Sequence, residues 1–139
     1  MTESTTPERP ADERPARRRP ELPAISAMYE AFVASLPRLT NLPRAHRFTL
    51  GERLEKLQMD VLEALVRARY AKTKADLLSS ANVSLELCRL LVRALCDTRQ
   101  VSVGLYEKWI LELDDVGKQV GGWLKHAASK EAGGDGAHA

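Results

Sequence analysis

Residues 77–95 read "LLSSANVSLELCRLLVRAL", and this run decides what the chain can be. Twelve of its nineteen positions are apolar: 77, 78, 81, 83, 85, 87, 88, 90, 91, 92, 94 and 95. The run reads as a helix, but a helix facing a single core needs roughly three apolar residues in seven. The surplus must be covered elsewhere. Either this helix is central within the monomer, or its outer side meets another subunit. A four-helix bundle has no central helix, so the excess predicts self-association.

Outward from this run lie three more amphipathic segments and no convincing strand pattern. The first covers residues 23–39, with Ile25, Met28, Phe32, Val33 and Leu36 as its apolar positions. Pro37 is expected to break it near its end, and "TNLPRAHR" to make the turn. The second covers residues 49–73. Thr49 followed by Glu52 has the form of a capping box, and Leu50, Leu54, Leu57, Val61 and Leu65 repeat at helical spacing. The third covers residues 74–98. The fourth starts at Ser102 as N-cap and runs to Lys125, with an inward stripe of Tyr106, Ile110, Leu113, Gly117, Val120 and Leu124. Connectors of a few residues predict an all-α, antiparallel up-down-up-down four-helix bundle over residues 22–126.

At 100° per residue, Asn82, Glu86, Arg89, Arg93 and Asp97 fall on one narrow polar wedge of the third segment, with Ser79 beside them. Two readings compete there. In the first, Glu86 offsets Arg89 and Asp97 offsets Arg93. In the second, the two guanidinium groups point the same way and grip phosphate oxygens with their planar forks. The wider charge map favours the second. Nine basic residues lie between Arg38 and Lys74, against Glu52, Glu55, Asp60 and Glu63. Arg44 and Arg47 sit at the first turn, and Arg67, Arg69, Lys72 and Lys74 cluster at the next. Part of the second segment is self-neutralised, because Glu52–Lys56 and Glu63–Arg67 are favourable i, i+4 pairs.

The formal net charge of the 139-residue chain is only +2, so any polyanion-binding argument rests on local clustering. Residues 1–21 hold four prolines among five acids and five arginines and read as a disordered tail, with Arg17, Arg18 and Arg19 its basic cluster. Residues 127–139 read as a second flexible end. Cys88 and Cys96 lie too far apart on one helix for a disulfide and read as buried thiols of a reducing cytoplasm. No signal peptide or membrane-spanning run is visible, so a cytoplasmic protein is expected.

No catalytic constellation is apparent. His46, His126 and His138 are scattered, and neither metal-ligand spacing nor a phosphate-cradling glycine loop occurs. Asp114 and Asp115 are adjacent, so their side chains diverge on a helix. No enzyme, cofactor or metal is expected. Gly117 and Gly121 each cost a helix about 1 kcal/mol against alanine, which implies close approach of a neighbouring helix or a slot for a large side chain. Trp109 and Trp123 read as core or interface anchors. Base stacking is the lesser alternative for them and for Tyr70.

Three stretches, "RFTLGERL" (47–54), "ADLLSSANVSLELCRLLVRAL" (75–95) and "DVGKQVGGWLK" (115–125), resemble in order and spacing the Avd family. These are the accessory variability determinant proteins of diversity-generating retroelements, related to proteins of ribosomal RNA intervening sequences. The resemblance covers about residues 25–126 and excludes the proline-rich tail. It implies a homopentameric barrel of four-helix subunits that binds RNA or DNA and the retroelement's reverse transcriptase. It also implies support of mutagenic copying and retrohoming without catalysis. Arg89 and Arg93 match the family's basic positions on the third helix and become the leading nucleic-acid or polymerase contacts. Arg44, Arg47, Arg67, Arg69, Lys72 and Lys74 follow from the charge map. Gly117, Gly121 and Trp123 are packing candidates. An intervening-sequence-type protein, or a scaffold whose arginines make interfacial ion pairs, is the alternative.

Overall fold

Small and branched apolar residues at three- and four-residue spacing wind this chain into long helices, and their shared stripe fixes how the helices face each other. A computed structural model describes the backbone of residues 21–138 and the side chains of residues 22–133. Helix α1 spans Glu21–Thr40, α2 Arg44–His46, α3 Glu52–Tyr70, α4 Ala75–Asp97 and α5 Val103–His138. A π-helical turn, Arg47–Gly51, joins α2 to α3. No strand occurs among the described residues. Residues 1–20 of the expected tail, with Arg17, Arg18 and Arg19, lie outside them.

The four long helices close a ring in which α1 packs on α3, α3 on α4, α4 on α5 and α5 on α1. The C-terminal turn of α1 meets the first third of α5, where Arg38 donates two hydrogen bonds to Glu112 at 2.7 and 2.9 Å. The start of α4 meets the far end of α5 through Glu131. Inside the ring α3 contributes Leu54, Leu57, Val61, Leu65 and Ala68, and α4 contributes Leu78, Ala81, Leu85, Cys88, Val92 and Leu95. Trp109 and Trp123 are fully buried, in keeping with their reading as anchors. Truncating either to alanine would cost about 3–5 kcal/mol.

The structure moves several boundaries. Helix α1 passes through Pro37 and ends at Thr40. The carbonyl that Pro37 leaves without its usual amide partner belongs to Val33, on the outward side of the helix. The core line of α1 is Ala24, Met28, Ala31, Ser35 and Leu39, which shares only Met28 with the expected set, and Val33 faces outward. Thr49 does not cap a helix. The chain is already helical from Arg44, and the Thr49 hydroxyl instead donates to the carbonyls of Ala45 and His46. Gly51 is what the wide turn needs, because a Cβ there would lie 3.1 Å from Leu42 Cδ1 and 3.3 Å from the His46 carbonyl oxygen.

Ser102 does cap α5, its Oγ accepting from the Leu105 amide at 3.1 Å. The core line of α5 is Trp109, Leu113, Val116, Val120, Trp123 and Ala127. The expected stripe shares only Leu113 and Val120 with it. It put Gly117 at the centre, whereas the two indoles outweigh a glycine in buried area and rotate the helix toward themselves. Nor does the helix stop at Lys125. It continues to His138, with Ala127 buried.

Candidate nucleic-acid interface

The expected basic residues separate into three places. At the α3–α4 turn, α3 ends at Tyr70 and Lys74 folds back over that end. Its ammonium donates to the carbonyls of Ala68 at 2.7 Å, Ala71 at 2.7 Å and Arg69 at 3.3 Å. A cation at a helix C-terminus satisfies the last carbonyls and complements the helix dipole. Across the turn, Glu131 of α5 accepts from the backbone amides of Lys74 at 2.6 Å and Ala75 at 3.2 Å. Opposite charges thus clamp the two helix ends. Lys74 acts within the fold, while Arg67, Arg69 and Lys72 project outward. Arg67 is paired with Glu63 at 2.7 Å in the expected i, i+4 arrangement. Both side chains are largely exposed, so the pair is weak and exchangeable.

At the other turn Arg44 and Arg47 are exposed, and Arg47 lies over the Phe48 ring, 5.4 Å from its centroid. Arg38, part of the same charge cluster in sequence, is a structural residue. It is bound to Glu112 and stacked over Trp109, its Cζ 5.3 Å from the ring centroid.

The wedge of α4 comes out differently from either simple reading. Arg89 turns into the groove between α4 and α5. Its Nη1 donates to the Leu113 carbonyl at 3.4 Å, and its Nε lies 3.7 Å from the Asp114 carboxylate. Its side chain is 32% exposed, and a Cβ on Gly117 would lie 3.2 Å from Nη1. Gly117 is therefore the slot for a large side chain, and Arg89 fills it. Arg93 stays on the surface and pairs with Asp97 at 3.6 Å, as the offsetting reading expected. Among the described residues, nothing beyond its own stretch of helix lies within 4 Å of the place a Cβ on Gly121 would take. Trp123 packs inside the bundle.

Sequence reasoning missed Glu131, whose partner lies 57 residues away and leaves no local pattern. It also missed Asp114 as the mate of Arg89. The signal available for the latter was a glycine one turn beyond an acid, on the segment predicted to lie beside α4.

The surplus apolar surface of α4 is visible as a line. Val83, Leu87 and Leu90 are 62%, 39% and 50% exposed and fall within a narrow arc of the helix, opposite its core face. Among the described residues no group of three or more His, Cys, Asp or Glu gathers that could hold a metal ion, and no helix is long and apolar enough to cross a membrane. Grooves run between neighbouring helices. One lies over Arg89, lined by Asn82, Leu111, Asp114 and Lys118.

Comparison with curated proteins and with solved structures returns no match. A family model described as bAvd-like matches residues 25–127, from the first turns of α1 to the last core residue of α5. On that match, which spans most of the chain and all three stretches that suggested the resemblance, the protein belongs to the bAvd-like family, the accessory variability determinant group.

Proposed function

We propose that this protein is the non-catalytic accessory subunit of a diversity-generating retroelement, binding nucleic acid and the reverse transcriptase during mutagenic copying and retrohoming. Family membership over residues 25–127 is the observation that carries this reading. In the proposed assembly the subunit is an antiparallel up-down-up-down bundle. The Arg38–Glu112 and Lys74–Glu131 contacts, which bring the end of α1 to the start of α5 and the start of α4 to the far end of α5, support that order. Five such subunits form a cytoplasmic barrel through the exposed Val83–Leu87–Leu90 line.

The contacts to polyanion come from the turns. Arg44 and Arg47 stand at one end, and Arg67, Arg69 and Lys72 at the other, with Arg93 between them on α4. Arg89 and Lys74, already engaged within the fold, hold the scaffold and add to its positive field. DNA synthesis is the partner's work, since the chain brings no polymerase carboxylates.

Co-purification of a charge-reversed Arg67→Glu, Arg69→Glu, Lys72→Glu variant with the reverse transcriptase and its RNA tests the proposal. Loss of bound RNA with unchanged helical content is expected. Retention of RNA at the wild-type level would move the interface away from these residues. A protein that never retains RNA, whichever residues it carries, would be a scaffold instead.

A further inference from the structure

The α3–α4 turn carries one side chain that a surface for phosphates alone does not need. Tyr70, the last residue of α3, is 77% exposed. Arg69 lies over its ring, with Cζ 5.5 Å from the centroid, and a ring so exposed still offers a face to solvent. The backbone that bears it is fixed from both sides. Lys74 holds the carbonyls of Ala68, Arg69 and Ala71, and Glu131 holds the amides of Lys74 and Ala75. Residues 67–74 read Arg-Ala-Arg-Tyr-Ala-Lys-Thr-Lys, with four cations and no acid.

We propose that this turn is a single-stranded nucleic-acid site in which Tyr70 stacks on one unpaired base while Arg67, Arg69 and Lys72 contact the adjacent phosphates. The inference rests on the nucleic-acid reading above and narrows it to a class of ligand. In a duplex the base faces are already stacked, and only a single strand, loop or frayed end can present one to a tyrosine. The guanidinium over the ring supplies a cation to the same base and backbone. The Glu63–Arg67 pair yields at little cost because both partners stand in water. Of the four cations Lys74 is engaged by the end of α3, which leaves Arg67, Arg69 and Lys72 around the exposed ring for phosphates.

The test uses the full-length chain and fluorescence anisotropy with two labelled probes, an oligouridylate of about twelve nucleotides and an abasic strand of the same length. Tyr70→Ala is expected to weaken binding of the oligouridylate about tenfold or more and to leave the abasic strand unaffected, while Tyr70→Phe binds both like the wild type. Equal binding of the oligouridylate by wild type and Tyr70→Ala would overturn the stacking site and leave the phosphate surface standing. Equal weakening on both probes would also overturn it, since the effect would then not come from a base. If the wild type binds neither probe, the nucleic-acid reading fails and takes this inference with it.

Discussion

Gly117 and Arg89 occupy one space between them, and each explains the other. A methyl group on residue 117 would press on the tip of a flexible side chain, which can give by a few tenths of an ångström. Gly117→Ala is therefore expected to hold stability or raise it by up to about 1 kcal/mol in urea denaturation, the helix gain setting the limit. Arg89→Glu should do the opposite, placing a carboxylate against Asp114 and the Leu113 carbonyl. At Arg99 the backbone takes φ 64, the left-handed conformation that follows a helix end, and the Gln100 amide closes on the Leu95 carbonyl at 2.7 Å. Arg99→Gly should add about 1 kcal/mol by the same measurement. Cys88 makes a further test. Burial pushes its thiol up from 9.0 to about 12, against a smaller opposing pull from Arg89. Between those two values the unfolded chain loses this proton and the folded chain keeps it, so stability falls as pH rises through that window. Native Cys88 should also stay unlabelled by a thiol reagent at neutral pH and react once the chain unfolds. At this scale the sequence was only half legible. It marked Arg89 and Arg93 as a pair because periodicity sees one helix at a time, whereas Asp114 and Gly117, which separate them, stand on another.

Helix extents were readable where large apolar residues repeat and were misread where small ones do. The α3 line, built on leucine and valine, lies where spacing placed it from Leu54 to Leu65. The α1 line runs through Ala24, Ala31 and Ser35, which carry little periodic signal, so the reading drifted toward Phe32 and Val33. The continuation of α5 replaces part of the expected flexible end, and its first stretch, "AASKEA", is made largely of strong helix formers. Glu131 gives that extension a job. Glu131→Ala removes a carboxylate from two backbone amides at the start of α4 and is expected to cost about 1–2 kcal/mol. Hydrogen exchange at the Lys74 and Ala75 amides should accelerate with it. An unchanged exchange rate would mean that the contact contributes nothing to the turn.

At the scale of the whole molecule, the count of apolar residues on α4 predicted a line with no partner inside the subunit, and Val83, Leu87 and Leu90 form it. A Leu87→Glu, Leu90→Glu variant is expected to fall from the assembled size to that of a single chain in light scattering while keeping its helical content. Both residues stand outside the core, so the fold itself is not at risk. The charge map was legible only as a sum. Of the residues between Arg38 and Lys74, the structure engages Arg38 and Lys74 themselves in the fold and leaves Arg44, Arg47, Arg69 and Lys72 exposed at the two turns. The proposed function requires these turns to grip a polyanion. Affinity of the full-length protein for labelled single-stranded RNA, measured over a salt series, tests that most directly. Log K is predicted to fall steeply with log salt, by about 0.7 for each phosphate held. A flat dependence, or no binding at the lowest salt, would contradict it.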